Sequence, residues 1–247
     1  MTSGKPRKSI VVPCYNEAGN LPNLIQRFQD LTEGKPVDWE LVLVNNGSTD
    51  DSAAVFEREL QKPGREFVRV VTVPSPNVGY GHGIMTGLRA AHGEYLGWTH
   101  ADGQTPPKDV LRAFDLLLSS SNPYRTLVKG RRRQRPLKDE LFTLGMQATA
   151  VALLRENLAD INGQPKTFPR ALLELAVKPP IDLSLDLYFL WLANQNGYTT
   201  RTIDVSFGER EHGESKWAFN WKSKLRNIRR TVDFMNAVKS GRSYPTS

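Results

Sequence analysis

Four short polar clusters in this chain of 247 residues concentrate the side chains that hold ligands. They are Pro13–Glu17, Asn45–Asp50, Pro74–Gly83 and His100–Pro107. The last sets His100, Asp102 and Gln104 two positions apart: an imidazole, a carboxylate and an amide, all able to donate lone pairs to a cation. A fifth segment, Lys129–Lys138, carries six cations (Lys129, Arg131, Arg132, Arg133, Arg135 and Lys138) and no acid. Guanidinium forks match phosphate oxygens two at a time, and lysine adds a point charge.

Each of the four clusters follows a short apolar run. Ser9–Cys14, Trp39–Val44, Phe67–Val73 and Glu94–Trp98 read as strands. Helical periodicity lies between them. Glu17–Leu31 puts Leu21, Leu24, Ile25, Phe28 and Leu31 on one face. A second helix, capped by Thr49 or Asp50, runs through Leu60, and Gly79–His92 forms a third. Uninterrupted apolar strands alternating with helices predict a parallel sheet covered on both faces. Such sheets bind ligands at the carboxyl ends of their strands, which is where the clusters fall. In the second half the pattern predicts helices at Leu111–Leu118, Leu141–Asn157, Arg170–Ala176 and Leu183–Asn194. Strands are predicted at Thr126–Lys129 and Thr199–Phe207, with Lys129–Lys138 as a loop.

Lys and Arg total 33 against 26 Asp and Glu, a net charge of +7. Between Lys216 and Arg242 eight basic residues face Asp233 alone, so the remainder is balanced. A neutral body with a basic tail argues against a chain that coats nucleic acid. No apolar run reaches the roughly 20 residues of a membrane span. The first residues lack the apolar core of a signal peptide, and the single cysteine, Cys14, cannot form an internal disulfide. Those features fit a cytoplasmic location.

The clusters resemble, in order, the motifs of family-2 glycosyltransferases. Val12-Pro13-Cys14-Tyr15-Asn16-Glu17 looks like the opening motif, Val44-Asn45-Asn46-Gly47-Ser48-Thr49-Asp50 like the second nucleotide-binding motif, and Asn77-Val78-Gly79-Tyr80-Gly81 like the glycine-containing third. His100-Ala101-Asp102-Gly103-Gln104-Thr105-Pro106-Pro107 resembles the Asp-x-Asp signature. Arg210-Glu211-His212-Gly213-Glu214-Ser215-Lys216 resembles the late motif of the dolichyl-phosphate mannose synthase-like branch. The resemblance implies a GT-A fold, a Rossmann-like mostly parallel sheet flanked by helices. It implies transfer of a sugar, with inversion, from a nucleotide-diphosphate sugar to a polyprenyl phosphate or related glycan.

On that resemblance Pro13, Tyr15, Glu17, Asn45, Asn46, Gly79, His100, Ala101 and Asp102 are expected at the nucleotide. Asp102 and Gln104 are expected at a divalent cation, Mn²⁺ or Mg²⁺. Arg132, Lys166 (in Gly163-Gln164-Pro165-Lys166), Arg210 and Lys216 are expected at donor or acceptor phosphates, and Asp102, Asp186 and Arg210 in catalysis. Pyrophosphate gathers negative charge as it leaves, and a metal ion or fixed cations must offset it. Two departures bear on this. His100 stands where the family has its first Asp, and imidazole serves Mg²⁺ less well than carboxylate does. Asn45-Asn46 replaces an acidic pair, which favours a pyrimidine edge over guanine. Asp186 serves as base if the acceptor is a hydroxyl; an anionic phosphate needs none. A catalytically silent nucleotide-sugar binder is the rival, with an RNA-binding protein behind it.

Residues 1–215 are expected to form the transferase domain and 216–247 a basic tail. In the tail Trp217, Trp221, Leu225, Ile228, Val232 and Met235 recur at steps of three and four, one helical stripe. Such a stripe either lies on an anionic membrane, making the protein peripheral, or packs on the domain or a second subunit of a homo-oligomer.

Overall fold

The computed structural model describes residues 6–34, 36–133, 160–206, 229–237 and 240. Seven strands form one sheet: β1 (Lys8–Cys14), β2 (Trp39–Asn46), β3 (Val68–Val73), β4 (Tyr95–Trp98), β5 (Thr126–Arg133), β6 (Lys166–Pro169) and β7 (Thr199–Ser206), in the order β3-β2-β1-β4-β6-β5-β7. Pairing is parallel except where β6 lies antiparallel between β4 and β5. The helices are α1 (Leu21–Gln29), α2 (Ser52–Leu60), α3 (Tyr80–Ala90), α4 (Pro107–Leu118), α5 (Arg170–Glu174) and α6 (Ser184–Gln195), with α7 over residues 229–237.

Strand alternation explains the unbroken apolar runs. Val11, Val42 and Val44 point to one face, under α3 and α6, where they pack with Ile84, Leu88, Trp98 and Phe189. Ile10, Val12, Leu41 and Leu43 point to the other, with Leu24, Phe28 and Phe114 of α1 and α4. Both faces are covered, so both strand faces are apolar.

Two expectations change, and a strand the pattern did not predict and the described end of the tail add to them. The chain enters α1 at Leu21 rather than Glu17, because Asn16 adopts a left-handed backbone (φ 56°) and Pro22 suits the first turn of the helix that follows. The basic segment does not begin as a loop: residues 129–133 extend β5, paired with β7 as far as Arg133 and Ser206. β6 is only four residues long and ends in Pro169, too short for periodicity to mark. The carboxyl-terminal stripe packs on the domain in its described part, with Phe234 and Met235 buried and the Phe234 ring 6.1 Å from that of Tyr188. The predicted helix Leu141–Asn157 lies outside the described residues. No helix among the described residues is long and apolar enough to cross a membrane.

Candidate functional site

Reversal of β6 builds the site. The carboxyl ends of β1, β2, β4 and β5 share one edge of the sheet, and the antiparallel strand brings its amino end, Lys166, to the same edge. Lys166 lies in register with Trp98 on one side and Lys129 on the other.

The β1 and β2 ends are laced together by neutral hydrogen bonds. Asn16 Oδ1 accepts the Thr49 backbone N–H at 2.8 Å, and Ser48 Oγ accepts that of Asn16 at 3.1 Å. The backbone N–H groups of Glu17 and Ala18 donate to Ser52 Oγ (3.1 Å) and Asp50 Oδ2 (3.2 Å). Asp50 Oδ1 also accepts the N–H of Ser52 at 3.0 Å, so the predicted capping residue acts from the position before the N-cap, Asp51. Asn45 Oδ1 takes the Ser48 N–H at 3.2 Å and shapes the turn from within. Pro13 and Tyr15 border this loop pair, half-buried.

Asn46 and Gly79, expected at the nucleotide, also carry packing between β2 and α3. Asn46 is buried and donates its amide to the Gly79 carbonyl at 2.9 Å, which ties β2 to the start of α3. A Cβ on Gly79 would stand 2.3 Å from the Ile181 carbonyl, and one on Gly81 2.4 Å from that of Pro180. These glycines therefore seat the 180–182 segment, which leads into α6, against α3.

His100, Ala101 and Asp102 follow β4. Asp102 is buried, and its Oδ1 accepts the Gln104 N–H at 3.1 Å. Burial lowers the His100 pKa despite the raising pull of Asp102 and Asp186; Arg132 and Lys166 lower it further. Among the described residues no three His, Cys, Asp or Glu side chains gather as a metal site.

Beyond His100 the edge becomes ionic. Asp160 accepts the Arg132 backbone N–H (2.8 Å), Nε (3.1 Å) and Nη2 (2.5 Å). Burial pushes the Asp160 carboxyl up, but the hydrogen bonds and charge of Arg132 outweigh it and hold the pKa low. Lys129 donates to the Asp160 carbonyl at 2.9 Å. Burial, followed by the charge of Lys166, brings Lys129 from 10.5 down to about 8. Gly130 and Gly163 allow this contact, since a Cβ on Gly130 would lie 2.1 Å from the Gln164 carbonyl and one on Gly163 2.1 Å from that of Gly130.

Lys166 and Asp186, expected at the acceptor and in catalysis, are fully and almost fully buried and bond to each other. The remaining Lys166 donors go to the carbonyls of Ile161 (2.9 Å) and Gly163 (3.1 Å). All three ammonium protons are thereby engaged, leaving none for an acceptor. Asp186 Oδ2 accepts the Tyr80 hydroxyl at 3.2 Å, and that hydroxyl accepts from Gln164 Nε2. Burial and then the Asp186 charge push the Tyr80 phenol well above its ordinary range. Tyr80 had no signal beyond membership of the third motif, and Asp160 lies in none of the motif segments. Arg210 and Lys216 lie outside the described residues.

Residues 9–167 match the family Glycosyl transferase family 2, and the chain belongs to that family. It is 28% identical over 212 residues to the undecaprenyl-phosphate 4-deoxy-4-formamido-L-arabinose transferase of Pseudomonas syringae, covering 85% of this chain and 60% of that one. Identity to the Pectobacterium carotovorum protein of the same name is 29% over 217 residues, 85% and 62% of the two chains. The chain thus spans about three-fifths of the length of these relatives. Among solved structures, glucosyl-3-phosphoglycerate synthase from Mycobacterium tuberculosis, in complex with Mn²⁺, uridine diphosphate and glucosyl-3-phosphoglycerate, superposes with a TM-score of 0.71 at 20% identity. That match covers 96% of this chain and 81% of the other. A Pyrobaculum calidifontis mannosyltransferase with GDP-mannose and Mn²⁺ gives 0.67 at 21% identity, covering 99% and 67%. These structures share the GT-A fold.

Proposed function

We propose that this chain transfers a sugar, with inversion, from a nucleotide-diphosphate sugar to a polyprenyl phosphate. The observation that carries the reading is the placement of buried Asp102 beside His100 on the same sheet edge as Arg132. The loops after β1 and β2, through Asn45, Pro13, Tyr15 and Glu17, take the nucleoside; Asp102 faces the pyrophosphate, and Arg132 the phosphates. The undecaprenyl-phosphate transferases to which the chain is similar support the acceptor class.

Charge counting supports a role for further cations. At this edge Lys129, Arg132 and Lys166 are matched by Asp102, Asp160 and Asp186, and burial favours neutral His100. An incoming pyrophosphate therefore needs added positive charge, which Arg210, Lys216 or a divalent cation supplies. Asp102, His100 and Gln104 fit an ion whose other ligands come from the pyrophosphate, rather than one held by protein alone. The imidazole favours Mn²⁺ over Mg²⁺ in that set. When bound, the ion offsets the charge of the leaving group.

The setting of Asp186 supports a phosphate acceptor. Its carboxylate is bound to Lys166 and Tyr80 and shielded from solvent, so it is not placed to take a proton from a hydroxyl. A phosphate acceptor arrives already ionised and attacks the anomeric carbon directly, while the bond to the nucleoside diphosphate breaks with its electron pair. Arg229, exposed and paired with Asp233 on its own helix, lies on the side of α7 away from buried Phe234 and Met235, whereas Arg230 reaches Asp182 of the domain at 4.0 Å; the outward Arg229 supports contact with the anionic membrane that holds a lipid-linked acceptor.

The test is transfer to undecaprenyl phosphate from the nucleotide sugar that most raises the melting temperature. Asp102→Asn is expected to abolish transfer while unfolding as wild type does; undiminished turnover would sink the assignment. Calorimetry should show Mn²⁺ binding only with nucleoside diphosphate present, and tight binding without it would contradict the shared ion. Liposomes with anionic lipid should float the full chain but float less of Arg229→Glu; equal flotation would remove the membrane contact.

A further inference from the structure

The proposed transfer makes no direct use of the buried Lys166–Asp186 pair, yet the pair sits where three segments meet. Lys166 holds the 160–165 turn by the carbonyls of Ile161 and Gly163. Asp160 opens that turn and gives its carboxylate to the backbone N–H and guanidinium of Arg132 and its carbonyl to Lys129. Asp186 is fixed from the other side by Tyr80 at the start of α3, and Gln164 of the same turn bonds to the Tyr80 hydroxyl. A continuous chain of contacts thus runs from α3 and α6 through Lys166 to the turn, and from the turn to Arg132.

We propose that Lys166 and Asp186 are positioning residues which, through the 160–165 turn and Asp160, fix the direction of the Arg132 guanidinium. The inference rests on the transfer reading for Arg132's role at phosphate. It adds that the ion pair acts as a unit: neither charge meets a ligand, and each is there to hold the other. Two buried opposite charges can be replaced together at small cost, whereas removal of one leaves the other uncompensated.

The experiment compares Lys166→Met, Asp186→Leu and the double variant by two readouts. Hydrogen exchange of the Arg132 amide, whose N–H is held by Asp160, should speed up about tenfold or more in each single variant. Transfer should fall about 100-fold in each, mainly in kcat. The double variant should recover both readouts by about tenfold over the singles. Should a single variant not fold, Tyr80→Phe frees one Asp186 oxygen without stranding a charge and should speed Arg132 exchange about threefold. Unchanged Arg132 exchange in Tyr80→Phe or in a folded single variant would overturn the proposal. A double variant no better than Asp186→Leu would do the same, and would make Asp186 a group that acts on substrate. Absence of transfer by the wild-type chain with any nucleotide sugar would count against the transfer reading alone, since the exchange measurement needs no substrate.

Discussion

The two halves of the site edge are built from different interactions. At β1 and β2 the loops are joined by neutral hydrogen bonds from Asn16, Ser48, Thr49 and Ser52, with one charged partner, Asp50, near the surface. At β5, β6 and α6 the joints are ion pairs with little or no solvent access, Arg132 with Asp160 and Lys166 with Asp186. Under the proposed transfer, neutral bonds suit a loop that shapes itself around a nucleoside, because each is worth only about 1 kcal/mol and can be exchanged. Under the same proposal, buried charges suit a region that would receive phosphates. Fixed dipoles and ions there do not need to reorganise when charge moves.

The largest expected effect separates the halves directly. Lys166→Met should cost about 3–5 kcal/mol in denaturant unfolding, the penalty for stranding a buried partner. Asn16→Ala should cost about 1 kcal/mol. Comparable losses would erase the distinction between the two regions.

A second effect is specific to the ionic half and depends on pH. Lys129 titrates at about 8 in the fold and near 10.5 when exposed. Between those values the unfolded chain holds the proton and the folded chain does not, so stability rises with pH across that window. The rise is about 3 kcal/mol at most. Lys129→Met should lack it, and parallel stability curves for the two proteins would show that Lys129 is not perturbed. The smallest effect is expected from Arg131, on the same strand but paired with Asp204 in the open. Arg131→Ala should leave the melting temperature unchanged, since exposed pairs contribute little; a clear drop would extend the ionic region to the surface.

Legibility in the sequence follows the same division. The loops after β1 and β2 could be placed from local pattern, because their strands are apolar runs and their polar clusters lie within a few positions of the strand ends. The roles of Asn46, Gly79, Lys166 and Asp186 could not. Tyr80 and Asp186 are 106 positions apart, and β6 is too short to announce itself. A motif residue read alone looks available to a ligand until its partner from another segment is known.

What the sequence determined by itself was the alternation of strands and helices, the polar clusters at the carboxyl ends of strands, and the order of motifs that marks family 2. Those are properties of neighbouring residues and of repeat distance. The tertiary structure decided which polar side chains pair with each other across distant segments. It turned β6 against its neighbours, set Lys166 beside Asp186, and used Gly79 to seat the 180–182 segment against α3. The reason is physical: a buried charge is tolerated only beside its counter-charge, and long-range packing chooses that partner.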